Sequence, residues 1–217
     1  MNALIAGCGS LYGKELTEQL RKSGYTAYGI SGTQSTDTNI LKIDWNTCGI
    51  QDFEKFLRKL PQLDLVVFNQ NSPALVDEYT KLNSMDILSV WKRAKQWNQS
   101  HYINCVLPTH ILHTLALTNK LMDNSTVLWI LSKSMYGHDQ SAPVDYVGQK
   151  YQNYITMKIL ALHNPQTFIG LCPGKLDHNN RNHKAKLTTD FLTTVNKSYS
   201  GKLFLQNEND ILESHPN

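Results

Sequence analysis

Tyr146 and Lys150 stand four residues apart in Asp145-Tyr146-Val147-Gly148-Gln149-Lys150, on a stretch whose pattern predicts a helix. That spacing sets a phenol and an ammonium on one helical face, one turn apart. A phenol ordinarily keeps its proton up to a pKa of about 10. A cation beside it favours the phenolate, so the pair is a candidate acid/base device with Lys150 lowering the phenol's pKa. Upstream, Ser132 and Ser134 offer hydroxyls and Asn104 a carboxamide. At the start of the chain, Gly7-Cys8-Gly9-Ser10-Leu11-Tyr12-Gly13 joins an apolar run to a helical one. Glycines so placed let backbone amides close around a pyrophosphate at a helix N-terminus. Each piece alone has an ordinary reading, two solvated helix residues or a plain turn. Their order along the chain gives them weight.

The elements that must position these residues alternate. Strands are expected at 3–6, 25–30, 40–43, 63–68, 126–131, 167–171 and 202–205. Helices are expected at 14–23, 52–60, 87–97 and 103–120, around Tyr146, and at 190–195. Such alternation predicts an α/β fold, a three-layer, doubly wound parallel sheet of the Rossmann type, in a single domain over 1–217. Sheets of this kind take ligands beyond the carboxyl ends of their strands. Gly7, Asn69, Ser134 and Pro173 each follow a predicted strand, and Tyr146 lies past one.

The composition fits that class. An apolar share of 41% and a charged share of 18% over 217 residues are those of an ordinary soluble protein. The net charge of +3 comes from scattered lysines and arginines, so nucleic acid is not an expected partner. No apolar run nears the roughly 20 residues that span a bilayer, and the N-terminus does not read as a signal peptide. Cys8, Cys48, Cys105 and Cys172 lack metal-ligand spacing and suit reduced thiols in a cytoplasmic protein. His178 and His183 without a third ligand do not make a metal site, and none is expected.

Taken in order, these residues resemble the short-chain dehydrogenase/reductase family, in its compact single-domain branch, from Ala3 to about Leu205. Gly7 and Gly13 match the outer glycines of its Gly-x-x-x-Gly-x-Gly turn; Leu11 replaces the middle one and Gly9 is an extra glycine. Phe68-Asn69-Gln70-Asn71 occupies the place of its Asn-Asn-Ala-Gly run, with Asn69 matching outright. Asp44, followed by Trp45, is similar to its adenine-contacting aspartate. Asn104, seven residues after Trp97, resembles the helix asparagine that supports a water linking the active-site lysine to solvent. Tyr146 and Lys150 match its Tyr-x-x-x-Lys, with Gln149 in place of a frequent serine. Ser134, twelve residues before Tyr146, is the preferred catalytic serine because Gly137 then falls at a familiar glycine; Ser132 is the reserve. Pro173-Gly174 matches the turn that passes the nicotinamide, and Asp177 stands where a threonine is frequent.

The resemblance implies hydride transfer between a nicotinamide cofactor and a carbonyl or alcohol. Asn104, Ser134, Tyr146 and Lys150 would be catalytic. Gly7, Gly9, Ser10, Leu11, Gly13, Ser31, Asp44, Trp45, Asn69, Gln70, Asn71, Pro173 and Gly174 would join Tyr146 and Lys150 in holding the cofactor. Ser31 falls at the end of the second strand, where a carboxylate would repel a 2′-phosphate, so NADP is preferred over NAD. A short polar substrate loop is expected at about 177–189, a possible flexible lid, and a homodimer or homotetramer through the helices carrying Asn104 and Tyr146. The alternative is a non-catalytic or regulatory protein that keeps the cofactor fold.

Overall fold

The computed structural model describes residues 1–33, 35–43, 50–70, 95, 97–136 and 144–214. The apolar runs assemble into one eight-stranded sheet in the order β3-β2-β1-β4-β5-β6-β7-β8. The strands are β1 (Asn2–Ala6), β2 (Thr26–Ser31), β3 (Ile40–Lys42), β4 (Leu63–Phe68), β5 (Leu121–Ile130), β6 (Thr167–Cys172), β7 (Leu203–Gln206) and β8 (Ile211–Ser214). Neighbours pair in parallel through β7, and β8 returns antiparallel along the edge, pairing Gln206 with Ile211 and Leu203 with Ser214. The central strands are buried on both faces, which is why they read as continuous apolar runs rather than alternating ones.

Helices cover both faces. On one, α1 (Leu11–Lys22) and α5 (Arg181–Leu192) pack over Ile5, Val67, Leu128 and Ile169. On the other, α2 (Ile50–Lys59), α3 (Leu107–Leu117) and α4 (Val144–His163) pack over Leu4, Val66, Trp129 and Phe168. A π-helical turn, Tyr102–Val106, leads straight into α3. The expected parallel doubly wound sheet is thus present, with an antiparallel edge added.

One difference bears on the site. The sequence reading puts a polar loop over 177–189, whereas residues from Arg181 onward form α5. Its inner face is made of Lys184, Ala185, Thr188 and Thr189, all buried, so the apolar stripe that betrays a helix is missing from the sequence. Tyr12 Oη and Thr188 Oγ1, 2.7 Å apart, fasten α5 to α1. It is therefore a packed helix and not a lid.

Candidate active site

The first candidate element is the turn between β1 and α1. Gly7 sits at φ 88°, left-handed backbone that suits glycine, and a Cβ on it would meet Gln70 N at 2.5 Å. The exits of β1 and β4 therefore cross in contact. Ser10 caps α1, its Oγ accepting from Gly13 N (3.0 Å) and from Asn69 Nδ2 (2.9 Å); the same Nδ2 donates to Gly7 O at 3.2 Å. Gly13 packs so closely on Gly7 O and Asn69 that no side chain would fit there. The first turn of α1 carries no acidic residue, and its free amides face the carboxyl edge of the sheet. That is a cradle for an anion. Gly9 is pressed against Ser31 and Thr33, whose hydroxyls lie 2.9 Å apart; Ser31 is buried.

The second element joins β5 to α4. Ser132 acts on the Tyr146 phenol, and Ser132 Oγ donates to Ser134 Oγ at 3.1 Å while accepting Ser134 N at 3.2 Å. Ser132, the reserve choice, is thus the serine against Tyr146, with Ser134 behind it. Lys150 is buried, its Nζ donating to Ile130 O at 3.0 Å and lying 5.7 Å from the Tyr146 ring centroid. Burial pushes the Tyr146 phenol up; Ser132 pulls against it, and the nearby Cys172 adds to the rise. Burial also drives Lys150 down, from 10.5 to about 8. The expectation that Lys150 lowers the phenol is thereby corrected. Both groups are desolvated, and the ammonium is turned to a backbone carbonyl.

Asn104, on the π-helical turn, is buried and faces α4. Its Nδ2 donates to Gln149 Oε1 at 2.7 Å and to Ser100 Oγ at 3.3 Å, and its backbone carbonyl accepts Asn153 Nδ2 at 2.8 Å. Ser100 Oγ also donates to Gln149 Oε1, at 3.2 Å. Asn104 is therefore tied to Gln149 and Asn153, the residues either side of Lys150 on α4. Sequence reading took Gln149 only as a departure from a pattern and passed over Ser100 and Asn153. The spacing of Gln149 and Asn153, one helical turn apart, was the available signal.

The third element follows β6. Cys172 is buried, its thiol pushed up to about 12, and Gly174 turns the chain at φ 69°. Lys184, reaching from α5, donates to Pro173 O (2.5 Å) and Lys175 O (3.0 Å) and so clamps both sides of Gly174. Asp177 accepts the amides of Asn179 (2.9 Å) and Asn180 (3.1 Å), shaping the entry to α5. His183 Nε2 meets Glu208 O at 2.8 Å, and no cluster of three metal-ligating side chains exists among the described residues.

No protein-family model matches the chain, and no curated protein matches its sequence. Solved structures do. A short-chain dehydrogenase family protein from Francisella tularensis superposes with a TM-score of 0.71 at 17% identity, over 94% of this chain and 96% of that one. A short-chain dehydrogenase from Escherichia coli, solved with NADPH, gives 0.71 at 15%, over 94% and 95%. A carbonyl reductase from Pseudomonas aeruginosa gives 0.69 at 14%, over 94% of each. The fold is that of the short-chain dehydrogenases.

Within the short-chain dehydrogenase fold, the residues singled out from sequence converge on one sheet edge. Gly7, Gly9, Ser10, Gly13, Ser31 and Asn69 line the glycine turn, while Leu11 at the start of α1 is 63% exposed. Gln70 adjoins Gly7. Ser132, Ser134, Tyr146 and Lys150 gather past β5, and Pro173 and Gly174 close the third side. Asp44, Trp45, Asn71 and Gly137 lie outside the described residues. Lys184 is a site residue that sequence reading missed, because it sits in the stretch taken for loop. The turn at the start of α1, built by Gly7, Ser10 and Asn69, has the form of a cradle for a phosphate group.

Proposed function

We propose that the protein is an NAD(P)(H)-dependent oxidoreductase of the short-chain dehydrogenase/reductase type, acting on a carbonyl or alcohol. The observation that carries this reading is the buried Lys150, its Nζ 5.7 Å from the Tyr146 ring and tied to Ile130 O, beside the Ser132–Ser134 pair at the end of β5. A nicotinamide bound along that edge supplies the hydride. Tyr146 holds the proton to be exchanged with the substrate oxygen. Ser132 orients that oxygen and steadies charge developing on it, and Ser134 fixes the Ser132 rotamer. Lys150 places its ammonium at the phenol ring and has protons left to reach a ribose hydroxyl. Asn104 acts through Gln149 and Asn153, holding the helix that carries Tyr146 and Lys150.

NADP is the preferred cofactor in this reading. Ser31 and Thr33 put two hydroxyls beside Gly9, and the residues following β2 there, Gly32 and Thr33, carry no carboxylate to repel a 2′-phosphate. One of the similar structures was solved with NADPH. The buried free thiols Cys8, Cys105 and Cys172 suit a cytoplasmic setting. No helix among the described residues is long and apolar enough to cross a membrane. Self-association through the helices carrying Asn104 and Tyr146 is supported by the exposed Tyr102, Val106, Tyr151, Ile155, Ile159 and Leu162.

A nicotinamide-fluorescence titration with NADH and NADPH, followed by a carbonyl panel using the tighter one, tests the proposal. Binding of NADPH with turnover of at least one carbonyl is expected. Failure to bind either dinucleotide would refute it, and tight binding with no turnover across a broad panel would replace it with the regulatory reading.

A further inference from the structure

Two cations converge on the turn that follows β6. A Cβ built on Gly174 would lie 3.3 Å from Lys184 Nζ and 3.5 Å from Lys133 Cε. Lys184 is 5% exposed, whereas Lys133 is exposed. The Lys184 ammonium donates to two backbone carbonyls, and among the described residues no carboxylate pairs with either lysine. Asp177 and Glu208 face Lys184 without bonding its ammonium, and Asp177 is engaged by the amides of Asn179 and Asn180. Burial, and then the charge on Lys133, hold Lys184 below its ordinary value. Like charges kept together beside a buried carbonyl turn cost free energy until an anion joins them. Their position says which anion. Lys133 stands between Ser132 and Ser134 and opens the 3-10 turn Lys133–Tyr136. The Cys172 thiol lies in the field of both Lys150 and Lys133, and it acts in turn on Tyr146. Lys133 is thus a neighbour of the acid/base group.

We propose that Lys133 is a specificity-determining residue that binds an anionic group of the substrate, a carboxylate or phosphate on the same chain as the reacting carbonyl, with Lys184 behind it as a second positive charge. This rests on the oxidoreductase reading and names its substrate class. The dinucleotide's own phosphates belong elsewhere. Their cradle is at the exit of β1, and β5 and β6 lie two and three strands away, about 10–14 Å across the sheet. The two lysines divide the work. Lys184 is held by Pro173 O and Lys175 O, so its charge is fixed in place before any ligand arrives. Lys133 carries its charge on a flexible four-carbon stem and can close on an anion from solvent. Closure sheds water from the pair and strengthens their attraction. A neutral carbonyl compound gains none of this.

The experiment compares wild type, Lys133→Met and Lys133→Arg on two matched pairs of carbonyls: acetoacetate with its ethyl ester, and dihydroxyacetone phosphate with dihydroxyacetone. For each probe it measures kcat/KM with NADPH and, by calorimetry, binding to the NADP complex, in which no reduction takes place. Dissociation constants for NADPH are measured alongside. Wild type should favour the anionic member of at least one pair by about tenfold or more, in turnover or in binding. The first pair marks a carboxylate and the second a phosphate. Lys133→Met should erase that preference, and Lys133→Arg, which keeps the charge, should restore most of it. Wild type that favours neither anion in turnover or binding overturns the inference, as does Lys133→Met that keeps the preference. So does a Lys133→Met whose only change is an about tenfold loss of NADPH affinity, because the charge would then serve the cofactor. All three leave the oxidoreductase reading intact. Wild type binding no dinucleotide overturns both.

Discussion

Ser132 Oγ donates to Ser134 Oγ at 3.1 Å, and Ser132 is the serine that pulls the Tyr146 phenol's pKa down. The serine nearest the phenol is thus fourteen residues before it in the chain, two more than the serine that spacing favours. Ser132→Ala should lower kcat/KM for carbonyl reduction about 100-fold, the cost of losing one donor at a developing oxyanion. Ser134→Ala should cost less, about tenfold or below, since it removes the hydroxyl that accepts from Ser132. Steady-state kinetics on the two variants, with NADPH affinity checked by fluorescence, separate these roles. The reverse ranking would return the catalytic role to Ser134.

Tyr146→Phe removes the exchangeable proton and keeps the ring under Lys150. Turnover should fall by about 10²–10⁴. The dissociation constant for NADPH should stay within about threefold, because the ring, Lys150 and the glycine turn remain. Near-normal turnover in this variant would remove Tyr146 from the chemistry.

Lys150 makes a two-sided prediction with pH. Its folded value of about 8 lies below the ordinary 10.5, so the unfolded chain binds the proton more tightly and folding pays to keep the ammonium buried. The shift corresponds to about 3 kcal/mol at pH 7. Lys150→Met should therefore be more stable than wild type to urea at pH 7, by up to about 3 kcal/mol, and inactive. Wild type recovers the difference as pH rises from about 8 to 10.5, where the folded state sheds its proton first. In the same range kcat/KM for reduction should decline above pH 8, as the free protein loses the charge on Lys150.

Asn104→Leu tests the amide cluster. It strips Gln149 Oε1 of its closest donor in a buried setting. A stability loss of about 1–3 kcal/mol is expected by denaturant titration. Catalysis should suffer through kcat rather than through cofactor affinity, because the helix carrying Tyr146 and Lys150 loses its brace.

Ile155 and Ile159 are 39% and 53% exposed on α4, beside Tyr151 and Leu162. Ile155→Asp with Ile159→Asp should shift the protein to a monomer by light scattering, if this face holds copies together. Wild type that is already monomeric at micromolar concentration would remove the oligomer from the proposal.

The strands of the central sheet are legible in the sequence because burial on both faces writes them as unbroken apolar runs, Leu63–Phe68 and Thr167–Cys172 above all. β5 begins at Leu121, ahead of its apolar run, because Leu121 pairs with Leu63 across a register shift that no local pattern records. β8 escapes notice for a related reason: an edge strand with two exposed residues, Leu212 and Glu213, carries little apolar signal. At the site, residue identities were legible but their partners were not. Choosing between Ser132 and Ser134 depends on how the chain rises out of β5, and the direction of the Tyr146 shift depends on how deeply α4 is buried. Neither is a property of spacing.

The ammonium of Lys184 holds the carbonyls on both sides of Gly174, and its helix is bolted to α1 through Thr188 and Tyr12. Helix α1 in turn begins at the glycine cradle. The distance between the two ends of the proposed dinucleotide track is therefore gauged by one helix pair, like the jaws of a caliper. A change at the α1–α5 seam, far from any reacting atom, would reset that gauge and alter reach between phosphate and nicotinamide without touching either.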